Sequence, residues 1–230
     1  MEQELIKVIE SAIENTHNWN RTNDKNMREL FTKCDDNVFS ITGMSGKNTR
    51  IIYNNICNNV NNWYLKYKNK PINYLEIGAH RGSSTIAALY KNSNVNATII
   101  DNWSEFGNCQ AELQDNLKKY APENNIQLIN ENSFELTTEL MYKPYQLYLY
   151  DGCHKTHSHK KGITDFVKYL DDLSVVLVDD YSWAQVKTGT LNGLDEIKTT
   201  HELIYTHIIE DDNNKVGFWN GLGIFILKKK

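Results

Sequence analysis

The sequence lacks an apolar run long enough to span a bilayer, and its opening, MEQELIKVIESAIENTHNW, is an amphipathic pattern interrupted by acids, unlike a signal peptide. A cytoplasmic protein without a membrane partner is therefore expected. Paired cysteines are also missing: Cys34, Cys57, Cys109 and Cys153 are scattered with no C-x-x-C, which excludes a disulfide framework and a cysteine-rich zinc module and leaves reduced thiols. Nor is there an excess of positive charge. The 25 Lys and Arg against 29 Asp and Glu leave a formal net charge of -4, which disfavours a nucleic-acid partner. Internal repeats and long linkers are absent as well. What is present, 230 residues, suits one large α/β domain with an appended terminal segment.

Asparagine is abundant, as in NNICNNVNNW, but aliphatic and aromatic residues recur through the same stretches at helical spacing. The composition reads as the bias of an AT-rich genome rather than disorder. Residues 1–70 are expected to form a helical cap or lid, with Leu5, Ile9 and Ile13 on one stripe and Ile52, Ile56, Val60, Trp63 and Tyr67 on another, ended by Pro71. Residues 71–230 form the main domain, in one compact unit with the cap. There the pattern changes to short apolar runs, INYLEIG, NATIID, NIQLIN, YQLYLYDG and SVVLVDD, alternating with helices, as in a parallel sheet covered on both faces. HELIYTHIIE and GFWNGLGIFIL flank the turn-forming DDNNK and complete a seven-stranded, mostly parallel sheet with an antiparallel hairpin.

VFSITGMSGKNTR resembles a phosphate loop only at first sight. Ile41 stands where the first glycine of G-x-x-x-x-G-K-[ST] belongs, and Asn48 replaces the hydroxyl that would bind magnesium. The segment reads as a turn leading into a helix, with a flexible lid over a ligand as the functional alternative. YLEIGAHRGSS is more informative: Glu76 ends a strand, and Gly78 and Gly82 precede the helix STIAALY. Glycines there let the backbone turn tightly and approach a ligand, and the G-x-x-x-G spacing suits a cationic or amino-acid-bearing ligand better than a pyrophosphate. Asp101 closes the next strand in IIDNW, where a carboxylate can accept both hydroxyls of a ribose, and Trp103 offers a flat face for a purine. Asp101 as a helix cap is the plainer alternative.

YLEIGAHRGSSTIAALY, IDNWSEFG and the pair YDGCH and VLVDDYSW together resemble the class I S-adenosylmethionine-dependent methyltransferases. Within them the similarity is to metal-dependent sugar O-methyltransferases of the macrocin O-methyltransferase type and related viral glycan methyltransferases, over about residues 40 to 227. The resemblance implies a Rossmann-like sheet of order 3-2-1-4-5-7-6 and S-adenosylmethionine as cofactor. It implies that Glu76, Gly78, Gly82, Ser83 and Ser84 lie on the methionine and backbone side of that cofactor. Asp101, with Asn102 and Trp103 beside it, would serve the ribose, and Asn132 and Ser133 the adenine, although an acid usually stands where Asn132 does. A viral origin would make the location host cytoplasm.

Asp151 closes one strand, and Asp179 and Asp180 close the next, with Ile163, Phe166, Val167 and Leu170 as the buried stripe of a crossover helix between them. Adjacent strands lie about 4.8 Å apart, so these carboxylates can converge on one cation. Asp179 and Asp180 can both reach it only if the chain leaves extended geometry between them. Three carboxylates and water favour a hard divalent cation, Mg2+ or Mn2+. Zinc is disfavoured because Cys153, His154, His157 and His159 fall in one short stretch with no second ligand pair, and His157 and His159 read as solvated. The resemblance gives His154 the role of catalytic base, beside Asp151. The expected activity is methyl transfer to a sugar hydroxyl on a small-molecule or glycan acceptor. The alternatives are a catechol or small-phenol O-methyltransferase and a non-catalytic nucleoside-binding module. Met44, Ser45 and Trp183 are candidates for the pocket lining, and a homodimer is compatible with such a lid.

Overall fold

The computed structural model describes residues 1–211 and 217–230. Four helices come first: α1 (Glu2–Arg21), α2 (Lys25–Glu29), α3 (Asp36–Phe39) and α4 (Lys47–Lys68). Then β1 (Asn73–Ile77), α5 (Ser83–Leu89), β2 (Asn96–Ile100), α6 (Gln110–Tyr120), β3 (Asn125–Ile129) and β4 (Tyr145–Tyr150) alternate. The chain ends with α7 (Thr156–Thr164), β5 (Leu170–Asp179), α8 (Ala184–Ile197), β6 (His201–Ile209) and β7 (Leu222–Lys229). The seven strands lie in the expected order, β3-β2-β1-β4-β5-β7-β6. Only β7 runs antiparallel to its neighbours, pairing Asp179↔Leu222 with β5 and Ile209↔Leu222 with β6. The turn expected at DDNNK lies outside the described residues beyond Asp211.

Every side chain of β4 is buried, because this central strand is covered on both faces. One core, under α1, α4, α5 and α6, gathers Leu5, Ile9, Ile52, Ile56 and Val60 with Ala97, Ile99 and Val175. The other, under α7 and α8, gathers Tyr148, Tyr150, Phe166, Val176 and Val186. Among the described residues no helix is long and apolar enough to cross a membrane.

Three local expectations need correction, and the asparagines gain a role. Tyr67 belongs to the α4 stripe by spacing but is 40% exposed, because it sits in the last turn and rests on Trp63 at 5.3 Å. That helix stops at Asn69, in the left-handed region at φ 52, before Pro71 is reached. The crossover helix α7 is shorter than its stripe: Phe166 and Val167 are buried in the turn after it, and Leu170 already opens β5. Finally, the asparagines do structural work. Asn73, Asn96 and Asn125 form a side-chain ladder across the starts of β1, β2 and β3, with 2.9 Å at each step. The buried Asn54 amide donates to the carbonyls of Ala87 and Tyr90 and so ties α4 to the end of α5.

Candidate active site

A cleft of about 410 Å³ opens at the carboxyl ends of β1, β2 and β4, the edge where parallel sheets bind ligands. At Gly78 the chain turns with φ +90, and a Cβ there would lie 1.8 Å from the Asp151 carbonyl oxygen, so only glycine lets β1 and β4 end side by side. Gly82, at φ +88, begins α5 against Leu113. Between them the backbone amide of His80 donates to Asp101 Oδ2 at 2.8 Å, and the Trp103 amide donates to Oδ1 at 2.7 Å. The Trp103 indole N–H closes the loop on the His80 carbonyl at 2.9 Å. Asp101 is thus fixed by two amides while each oxygen keeps a lone pair to offer.

Of the residues expected to meet the cofactor, Gly78, Asp101, Asn102, Trp103, Asn132, Ser133 and Asp151 line this cleft. Trp103 is only 6% exposed and forms wall rather than platform; the aromatic ring standing free beside it is Phe106, 65% exposed and edge-on to His80. Glu76, Gly82, Ser83 and Ser84 stand behind the turn. Glu76 is fully buried and accepts from Ser84 Oγ at 2.5 Å and Tyr74 Oη at 2.8 Å. Burial pushes its carboxyl up to about 7, against those two donors. Glu131, also in the wall, accepts from the amides and hydroxyls of Thr137 and Thr138, which hold its carboxyl down at about 2. His80, Phe106 and Glu131 were not legible as site residues, since nothing in their spacing distinguishes them from loop.

At the other end of the cleft, Asp151, His154 and Asp180 bring their ligand atoms within 4.8 Å of one another. His154 Nε2 lies 2.8 Å from Asp180 Oδ2 and 3.8 Å from Asp151 Oδ1. The chain does leave extended geometry after β5: Asp180 has φ 55, which turns its carboxylate to the same side as Asp151. Asn220 then donates to Asp180 Oδ1 at 2.6 Å, a contact between distant segments that no local pattern announces. The adjacent Asp151 and Asp180 carboxylates raise the His154 pKa to about 10, while burial and the Asp180 charge raise Asp151 to about 7. Asp179 is not in this group of three. It is buried, its Oδ1 has no hydrogen-bond partner among the described residues, and burial followed by the Asp151 charge holds its carboxyl well above the usual range.

His157 is exposed at the cleft mouth as expected, but His159 is not solvated: it is 1% exposed. The absence of a side chain at Gly189 lets α8 close over it, and Tyr150 packs edge-on at 4.8 Å, so burial lowers its pKa to about 4. Cys153 is exposed, and the zinc set of one cysteine and three histidines does not converge among the described residues. Trp183 stands edge-on to the His154 ring at 5.0 Å, and Met44 lines the cleft, whereas Ser45 bonds Ser83 Oγ instead.

Residues 75–181, the stretch that carries both ends of this cleft, match a family model described as a methyltransferase domain. This segment is similar to methyltransferase domains. The domain sits in a chain similar in fold to the O-methyltransferase of Bacillus cereus solved with S-adenosylhomocysteine, at TM-score 0.58 and 11% identity over 90% of this chain and 96% of that one. A candidate caffeoyl-CoA O-methyltransferase of Staphylococcus aureus is similar at TM-score 0.53 and 18% identity, over 89% and 92%. The chain spans about half the length, 47%, of a methyltransferase from Streptococcus mutans that it matches at TM-score 0.47 and 14% identity over 74% of its own residues. No curated protein sequence matches the chain. At these identities the solved structures establish the fold alone: a Rossmann-like, methyltransferase-type sheet with N-terminal helices.

Proposed function

We propose that the protein transfers the methyl group of S-adenosylmethionine to a hydroxyl oxygen of a small-molecule or glycan acceptor, a sugar in the first instance, with the help of Mg2+ or Mn2+. The observation that carries this reading is the convergence of Asp151, His154 and Asp180 at one end of a cleft whose other end presents a ribose-ready carboxylate. The donor set fits a hard cation: Asp151 and Asp180 cluster their carboxylates, and Asp179, whose Oδ1 has no hydrogen-bond partner among the described residues, is buried nearby, so these are oxygen donors whose ionised forms burial disfavours unless positive charge joins them. Asp151, Asp180 and Asp179 are the residues to hold such an ion. A divalent cation held there would lower the pKa of an acceptor hydroxyl, and S-adenosylmethionine would supply an electrophilic methyl group with its sulfur leaving as a thioether.

The rest belongs to the chain. Asp101 accepts the ribose hydroxyls, and Gly78 lets the cofactor approach the backbone. Asn132 and Ser133 border the adenine side, and His154 Nε2 takes the proton from the acceptor oxygen as the new C–O bond forms. Two carboxylates hold His154 as an imidazolium when nothing else compensates them, so it can serve as base only once their charge is shared.

The test is incubation with methyl-labelled cofactor and a panel of free sugars, nucleotide-linked sugars and catechol, with and without chelator. Label transferred to a sugar and lost on chelation supports the full reading. Transfer to catechol alone moves the acceptor to phenols, and binding without transfer to any acceptor reduces the protein to a nucleoside-binding module.

A further inference from the structure

Arg50, on the first turns of α4, is 5% exposed, and no carboxylate pairs with it among the described residues. A buried cation without an anion is costly unless hydrogen bonds compensate it, and here Nε and Nη1 find their acceptors in one short stretch of chain. Nη1 donates to the carbonyls of Val38 at 2.7 Å and Ile41 at 2.9 Å, and Nε donates to the Ser45 carbonyl at 3.1 Å and hydroxyl at 3.2 Å. The planar fork therefore fixes both ends of the turn between α3 and α4. That turn is seated in its turn on the methyltransferase domain: Ser45 Oγ bonds Ser83 Oγ at 2.9 Å, and a Cβ on Gly43 would lie 2.2 Å from the same oxygen. Between these two contacts Met44, 48% exposed, faces the cleft. The stretch is thus neither a phosphate loop nor a loose flap.

We propose that Arg50 is a positioning residue, and that through it residues 40–46 form a preassembled wall over the cofactor turn that retains the nucleoside cofactor. This rests on the reading of the cleft as a cofactor site. Arg50→Lys keeps the charge and loses the fork, so it separates orientation from electrostatics. In the intact protein, deuterium uptake of the peptide spanning 40–47 and the affinity for S-adenosylhomocysteine are measured for wild type, Arg50→Lys, Gly43→Val and Ser45→Ala.

The expected result for Arg50→Lys is faster uptake confined to that peptide, unchanged uptake in the sheet, and affinity weakened about tenfold, the loss of roughly one charge-assisted hydrogen bond. Gly43→Val, which pushes the wall off Ser83 without touching Arg50, should reproduce the affinity loss, and Ser45→Ala should show a smaller one. Wild-type uptake in Arg50→Lys, or faster uptake with affinity kept within about twofold, overturns the proposal. If Arg50→Lys does not fold, the same two readouts on Arg50→Gln, which keeps an amide donor and loses the fork, decide. Wild-type protein that binds no S-adenosylhomocysteine sinks the methyl-transfer reading instead, and the uptake comparison still decides whether Arg50 orders the wall.

Discussion

The two ends of the cleft solve opposite problems. Around Gly78, His80 and Asp101, the loop holds itself in place through its own backbone: the Asp101 carboxylate takes two amides, and the Trp103 indole closes back on the His80 carbonyl. Around Asp151, His154 and Asp180, the two carboxylates meet at one histidine, the Asn220 amide supports Asp180, and Asp179 Oδ1 has no hydrogen-bond partner among the described residues. The first end is a finished mould for a neutral or cationic ligand. The second is a cluster in which two carboxylates share one histidine. That contrast suits a division of labour in which one end binds and the other performs chemistry.

The sharpest way to separate them is His154→Ala. Removing a proton acceptor should lower turnover about 10³-fold, while calorimetry should find S-adenosylhomocysteine affinity unchanged, because His154 belongs to the other end. Gly78→Ala should collapse the distinction, since its Cβ overlaps the Asp151 carbonyl at φ +90 and so strains both ends together. Denaturant unfolding should record a loss of more than about 3 kcal/mol, along with lost cofactor binding.

Glu76 offers a pH test of the finished end. Its carboxyl titrates near 7 in the fold against 4.5 when unfolded, so the native state holds the extra proton in between. Stability should therefore fall as pH rises from about 4.5 to about 7, by up to about 3 kcal/mol, and Glu76→Gln should remove that slope in thermal melts. The smallest effect is expected from Asn220→Ala, which frees Asp180 Oδ1: manganese affinity should drop about threefold, with the cofactor unaffected.

The strands, the glycine turn and the strand-ending Asp101, Asp151 and Asp180 were readable because each is local: an apolar run ending in an acid or a glycine carries its meaning in a few residues, whereas the strand order came from the family resemblance and Asp179 does not join the expected cluster. Contacts between distant segments were not. Asn220 reaches Asp180 across the sheet, Arg50 gathers carbonyls from a turn before its own helix, and His159 is buried by the missing side chain of Gly189 on another helix. The same limit explains the asparagines, whose ladder across Asn73, Asn96 and Asn125 exists only once three strands are in register. Tyr67 and the short α7 failed differently: periodicity continues past the point where a partner surface ends.

The most direct test is a manganese titration followed by electron paramagnetic resonance, with S-adenosylhomocysteine present, on wild type and Asp151→Asn. The account predicts a single saturable ion per chain in wild type and its loss in the variant. Wild-type protein that takes up no ion, or a variant that takes it up equally well, would contradict it.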